Sequence, residues 1–158
     1  MPNEYYLSLG SNIRPKENLL KAIENLKDFG EVNAISSMWQ TAAVGNPGPK
    51  FLNAVVHFIG EYEPDELKNG VLRKIEIGLG RVRGIDKFAP RTIDIDILVF
   101  NNQTIDRLIW EHAHLAVPLA EIFPSYQNPD GEEIIKDTAR RLKVESHIEL
   151  FDNLDKLI

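Results

Sequence analysis

Two aspartates one residue apart, Asp94 and Asp96 in Ile93-Asp94-Ile95-Asp96-Ile97-Leu98, follow directly on a loop carrying Arg81, Arg83, Lys87 and Arg91. Strand periodicity sends the two carboxylates to one face and the three isoleucines to the other. At that spacing the two backbone positions lie roughly 6 to 7 Å apart, close enough to share cations and uncomfortable without them. Hard oxygen ligands of this kind suit magnesium, above all where phosphate oxygens complete the shell. The arginines fit the same chemistry, because a guanidinium grips phosphate through paired hydrogen bonds and can neutralise charge that develops on a transferred phosphoryl group. Two plainer readings stand beside these. The aspartates could be the solvated polar face of an antiparallel strand, and the cations could be surface partners for nearby acids. An EF-hand is excluded, since its glycine and later ligands are missing.

These residues need a frame, and the hydrophobic pattern predicts one. Tyr5 to Leu9 reads as a strand stopped by Gly10-Ser11-Asn12. A helix follows, with Leu19, Ile23 and Leu26 on one stripe, Pro15 in its first turn and Gly30 just past its end. Val32 to Thr41 and Phe51 to Gly60 are the next strands. The glycines and prolines of residues 44–50 between them mark an exposed loop. Glu63 to Leu79 is a second amphipathic helix, its stripe being Leu67, Val71, Ile75 and Leu79. Thr92 to Phe100 is the strand that carries the acidic pair. The order βαββαβ predicts an α+β fold, a ferredoxin-like layer of antiparallel sheet backed by helices. A C-terminal extension adds helices at Val117 to Ile122 and Gly131 to Leu142, and the tail from Val144 to Ile158 is ambiguous.

With 158 residues, 43% of them hydrophobic, the chain has the size of one ordinary domain, residues 1–158, and needs no metal or disulfide merely to stay folded. It has no cysteine, which excludes thiol nucleophiles and thiolate zinc sites and makes the cytoplasm the expected setting. No segment is apolar enough to cross a membrane. A net charge of −6 argues against nucleic acid as a partner. Gly78-Leu79-Gly80 does not continue into a dinucleotide fingerprint, and there is no P-loop. His112 and His114 beside Glu111 could meet a phosphate or a metal, or simply lie on the surface. Trp39 and Trp110 read as core or rim residues.

Taken together, Gly10-Ser11-Asn12, Phe51-Leu52-Asn53-Ala54, Gly80-Arg81-Val82-Arg83 and above all Pro90-Arg91-Thr92-Ile93-Asp94-Ile95-Asp96-Ile97 resemble the 6-hydroxymethyl-7,8-dihydropterin pyrophosphokinases over nearly the whole chain. The resemblance implies transfer of diphosphate from ATP to a reduced hydroxymethylpterin, a step of folate synthesis, by a monomer using two Mg2+ ions bound with ATP. It implies Asp94 and Asp96 as the metal ligands, and Arg81 and Arg91 as catalytic arginines on the phosphates. Glu76, Arg83, Phe88, Arg107 and His112 would bind ATP. Thr41, Val44, Phe51 and Asn53 would line the pterin pocket, with Asn53 hydrogen-bonding the ring and Phe51 stacking on it. One departure stands out: the stretch from His112 to Pro118 is several residues shorter than in the family and lacks its arginine and second stacking phenylalanine. Trp110 is the first candidate to replace that ring. A relative that binds nucleotide or pterin without efficient transfer, and a nucleic-acid module on the same layout, are the rival readings.

Overall fold

Tyr5, Leu7 and Leu9 turn their side chains into one core while Tyr6, Ser8 and Gly10 face the other way, and this alternation along the first strand divides the whole molecule. The computed structural model describes residues 2–41, 50–81, 92–127, 131 and 133–153. Strand β1 (Asn3–Ser11) lies between β4 (Phe51–Gly60) and β5 (Asp94–Phe100), both antiparallel to it. β4 is flanked on its far side first by β2 (Glu31–Ile35) and then by β3 (Met38–Thr41). Beyond β3 comes β7 (Ile148–Asp152), and beyond β5 the short β6 (Gln103–Thr104).

Helix α1 (Pro15–Leu26) and a long helix in three parts cover one face of this sheet. The parts are α2 (Pro64–Leu67), a π turn (Lys68–Leu72) and α3 (Arg73–Gly78). Leu19, Ile23, Leu26, Leu67, Val71, Leu72 and Ile75 pack there against Leu7, Leu9, Val56, Phe58, Ile93, Ile95 and Ile97. The other face carries a second core around Val55, Leu98, Val99, Ala116 and Leu119, closed by α4 (Ala113–Ile122) and α5 (Ile135–Glu145). The βαββαβ layer is therefore as expected, and the C-terminal extension forms a third layer on the opposite side of the sheet.

Four local details differ from the sequence reading. The expected strand Val32 to Thr41 is broken at Ser36-Ser37, where the Ser36 hydroxyl donates to the Ser37 carbonyl and accepts from the Val55 N–H, both at 2.8 Å. The Ser37 N–H and hydroxyl turn instead to Glu121 of α4. The first C-terminal helix starts at Ala113 rather than Val117 and carries Pro118 in its interior. The ambiguous tail contains β7, which pairs with β3 although Leu150 and Phe151 are exposed and carry little burial signal. Finally, the stripe of the long helix is wider than the expected Leu67, Val71, Ile75 and Leu79, all four of which pack on the first core. A π turn interrupts the helix at Lys68–Leu72, and Leu72 and Glu76 join the buried face. Among the described residues no helix is long and apolar enough to cross a membrane.

Candidate functional site

β5 carries one residue more than β1 in their pairing, since Tyr6 lies opposite Val99 and Leu7 opposite Ile97. Up to that bulge the alternation is strict: Ile93, Ile95 and Ile97 enter the first core, and Asp94 and Asp96 share the face that continues through Leu98 into the second. Helices α4 and α5 cover that second face only in part, leaving the aspartates at its open end. The strand register lines up the other candidates beside them. Gly10 pairs with Asp94 on one side and Asn53 on the other, and Asn53 pairs in turn with Trp39. Phe51 and Thr41 form the next pair out, and Ser8 lies opposite Asp96. Acidic pair and polar–aromatic slot therefore occupy adjoining rows of one sheet face.

Gly10 makes the slot. A Cβ there would stand 3.1 Å from Asn53 Oδ1 and 3.9 Å from Phe51 Cδ1, so any side chain would fill the space between the aspartates and the aromatic ring. Asn53, nearly buried, donates from Nδ2 to Thr41 Oγ1 at 2.9 Å, which fixes its amide while Phe51 and Thr41 remain half-buried at the rim.

The long helix delivers the cation. It ends in a Schellman turn: Gly80 adopts φ +95°, its N–H donates to the Ile77 carbonyl, and the Arg81 N–H reaches back to the Glu76 carbonyl, both at 3.0 Å. The glycines of Gly78-Leu79-Gly80 are thus a helix terminus, and only Gly80 needs the left-handed conformation. The turn folds the Arg81 side chain over Glu76, where Nη1 lies 2.8 Å from Glu76 Oε2 and 2.7 Å from Asp94 Oδ1. Glu76, expected at the nucleotide, lies beneath Arg81 and against β5. Its side chain is 3% exposed, and Oε2 also accepts the Ile95 N–H at 2.9 Å. β6 pairs with β5 only at Val99 and Phe100, so this N–H on the outer edge of β5 has no strand partner.

Asp96 faces water, yet protein surrounds it on most sides. That desolvation, followed by the charges of Asp94, Glu76 and Asp106, pushes its carboxyl up to about 6. The ionised form thus works against the fold: the penalty is absent below about pH 4, grows as pH rises towards 6, and is complete above it. Asp96→Asn in metal-free protein should therefore stabilise the fold at neutral pH, by less than ~1 kcal/mol for so exposed a group, and raise the melting temperature accordingly. The gain should vanish near pH 4. Thermal melts across that range check it, and a loss of stability at pH 7 would contradict the crowding.

Among the described residues no cluster of three or more His, Asp, Glu or Cys side chains is built to hold a metal. Two adjacent carboxylates, one of them destabilised by its acidic neighbours, form a donor set that suits a hard cation arriving with further oxygens from a nucleotide.

His112 stands at the N-cap of α4, and its ring centroid is 5.4 Å from that of His114. The half-buried His114 is pushed down to about 4, chiefly by desolvation and then by His112, against smaller opposing effects of Asp106 and Asp94. It is neutral at pH 7 and stands within electrostatic reach of Asp94. Seven residues further along the same helix face, Glu121 accepts from the Ser37 N–H and from Trp39 Nε1, at 3.0 and 3.1 Å. The face of α4 that carries His114 is thereby anchored on β3, whose end bears Thr41.

Arg107 is exposed in a 3-10 turn (Arg107–Trp110) capped by Asp106, and its guanidinium makes no hydrogen bond or ion pair among the described residues. Trp110, half-buried, stacks with Tyr126, centroids 6.0 Å apart, against the second core. Val44, Arg83, Phe88 and Arg91 lie outside the described residues. The sequence marks Gly10 only as part of a turn motif and His114 only as a possible phosphate or metal contact, and it does not signal the bond from Glu76 to the strand. Glu76 follows Leu72 by one helical turn onto the buried face, which its residue type does not announce.

The sequence matches the family model of 7,8-dihydro-6-hydroxymethylpterin-pyrophosphokinase over residues 6–124. It is 32% identical over 146 residues to the 2-amino-4-hydroxy-6-hydroxymethyldihydropteridine pyrophosphokinase of Pseudomonas aeruginosa, covering 85% of this chain and 89% of the relative. The enzyme of the same name from Bacillus subtilis is 37% identical over 134 residues, covering 77% and 79%. A folate synthesis bifunctional protein of Arabidopsis thaliana is 33% identical over 143 residues, and this chain spans only 29% of its length. In fold, the chain resembles the Plasmodium falciparum HPPK-DHPS crystal structure with pteroate, with a TM-score of 0.68 at 12% identity, over 89% of this chain and 42% of that one. The chain belongs to the 7,8-dihydro-6-hydroxymethylpterin-pyrophosphokinase family.

Proposed function

We propose that this protein transfers the terminal diphosphate of ATP to the hydroxyl of 6-hydroxymethyl-7,8-dihydropterin, releasing AMP, in folate biosynthesis. The observation that carries the reading is the shared sheet face on which Asp94 and Asp96 adjoin the slot of Gly10, Thr41, Phe51 and Asn53. That arrangement sets a phosphate-and-metal end beside a flat heterocycle end, as a displacement between two bound substrates requires.

In this reading Asn53 and Thr41 offer hydrogen bonds to the pterin edge and Phe51 covers one face of the ring. His114, a neutral ring on the anchored face of α4, covers the other. Asp94 and Asp96 would hold two magnesium ions with ATP; once bound, these neutralise charge on the phosphates and lower the pKa of the attacking hydroxyl. Arg81 supplies a positive charge within reach of the same phosphates, with Arg91 and His112 as further contacts. No side chain need form a covalent intermediate, because alignment and charge neutralisation suffice. We further propose that it acts as a monomer in the cytoplasm.

Product analysis tests the reading. Incubation with magnesium, ATP and the reduced hydroxymethylpterin should yield AMP and the pterin diphosphate in equal amounts, because attack at the β-phosphorus moves two phosphates as a unit. Formation of ADP would show γ-phosphoryl transfer and overturn it.

A further inference from the structure

Arg81 is shared. One nitrogen of its guanidinium meets Glu76 on one side and Asp94 on the other, and with a side chain only 11% exposed it has little water to turn to. A carboxylate that takes up a divalent cation cannot keep a short contact to a second positive charge without strong repulsion. Arg81 must then withdraw from Asp94, and a nearly buried guanidinium that loses its partner is strongly destabilising. Glu76 is already in contact with it. The same Glu76 oxygen accepts the N–H of Ile95, the residue between the two aspartates.

We infer that Glu76 is a positioning residue of the metal–nucleotide site, holding Arg81 when Asp94 exchanges the arginine for a cation and pinning the strand between the two aspartates. This rests on the reading of Asp94 as a metal ligand. In this role Glu76 acts through Arg81 and the strand rather than by contact with nucleotide or pterin. Its negative charge offsets the pull of Asp94 on Arg81, so the arginine is released from Asp94 without being left unpaired. The helix terminus contributes as well, since the Schellman turn ties the Arg81 backbone to that of Glu76 and keeps the guanidinium close through the exchange.

Glu76→Gln separates the two parts of this role. The amide oxygen can still accept the Ile95 N–H, so the strand stays in place, but the charge that retains Arg81 is gone. Arg81 should then settle on Asp94 and compete with the cation. Calorimetric titration of Mg2+ with a non-hydrolysable ATP analogue should show about tenfold weaker binding or worse in Glu76→Gln, with pterin binding unchanged. On an Arg81→Met background, where the competitor is absent, the same substitution should have little further effect, a coupling that general loosening of the fold would not produce. Wild-type-like binding by Glu76→Gln, or an equal loss on the Arg81→Met background, overturns the inference alone. Failure of the wild-type protein to bind the Mg2+–analogue pair overturns the site reading and this inference with it. Should Glu76→Gln not fold, Glu76→Asp keeps the charge on a stem too short for both partners. It should weaken binding several-fold, and unchanged binding there would equally overturn the inference.

Discussion

Asp94→Ala and Asp96→Ala are each expected to lower diphosphate transfer by about a thousandfold, while moving stability in opposite directions. The first expectation follows from chemistry. Each substitution removes one of two adjacent oxygen ligands, and metal-assisted neutralisation of phosphate charge is worth several kcal/mol of barrier, at about 1.4 kcal/mol per factor of ten in rate. The second follows from the neighbours. Asp94 pairs with Arg81 at 2.7 Å, so its loss removes a favourable contact, although Glu76 remains to keep the guanidinium paired. Asp96 is raised to about 6 by crowding with other acids, so its loss relieves repulsion at neutral pH. Turnover and thermal melts of the same two preparations decide. Near wild-type activity of either variant at limiting magnesium would remove that aspartate from the site. Loss of activity together with loss of folding in both would show that the pair holds the strand rather than the metal.

The difference between the two aspartates shows where sequence reasoning stops. Strand alternation alone places both carboxylates on one face, because a period of two leaves no choice once Ile93, Ile95 and Ile97 must enter the core. The α+β layer is legible for the same reason: Leu7 and Leu9, the α1 stripe and the β4 run each carry a clear period. What covers the other face is not local information. Residues of β7 are mostly exposed, α4 starts on a histidine cap and runs through a proline, and the Ser36-Ser37 break depends on Glu121 some 84 residues away. Nor could spacing reveal that Glu76 is buried. The expected stripe of Leu67, Val71, Ile75 and Leu79 does face the core, but a charged side chain beside it reads as solvent-facing, and the partners that bury Glu76, Arg81 and the Ile95 N–H, come from outside the helix. The slot around Gly10 depends on register across four strands, which no single segment specifies.

Phe51→Ala and His114→Ala should each weaken binding of the reduced pterin by about 1 to 3 kcal/mol, taking the stacking of nucleic-acid bases on aromatic side chains as the guide, and the double variant should bind it barely at all. Phe51 leans over Gly10, beside the amide of Asn53 whose other end is fixed by Thr41, so a flat heterocycle that hydrogen-bonds this amide has the phenyl ring against it. We expect the opposite side of such a ring to be closed from α4, while Trp110 stacks on Tyr126. On α4 the first turn presents His114, whose imidazole desolvation keeps neutral at pH 7 and therefore suited to stacking rather than to pairing with phosphate. The contact is aromatic in this account, so His114→Phe should retain or improve pterin affinity while His114→Ala loses it. Trp110→Ala should leave pterin binding intact and cost stability instead, through the second core. Binding of a non-hydrolysable ATP analogue with magnesium should change little in Phe51→Ala, because its expected contacts lie on the aspartates and arginines. Calorimetric titrations of both ligands into these variants distinguish the possibilities. If His114→Ala bound pterin as the wild type does while Trp110→Ala did not, the ring would be sandwiched from the 3-10 turn rather than from α4, and the slot would have to open on the β5 side of Gly10.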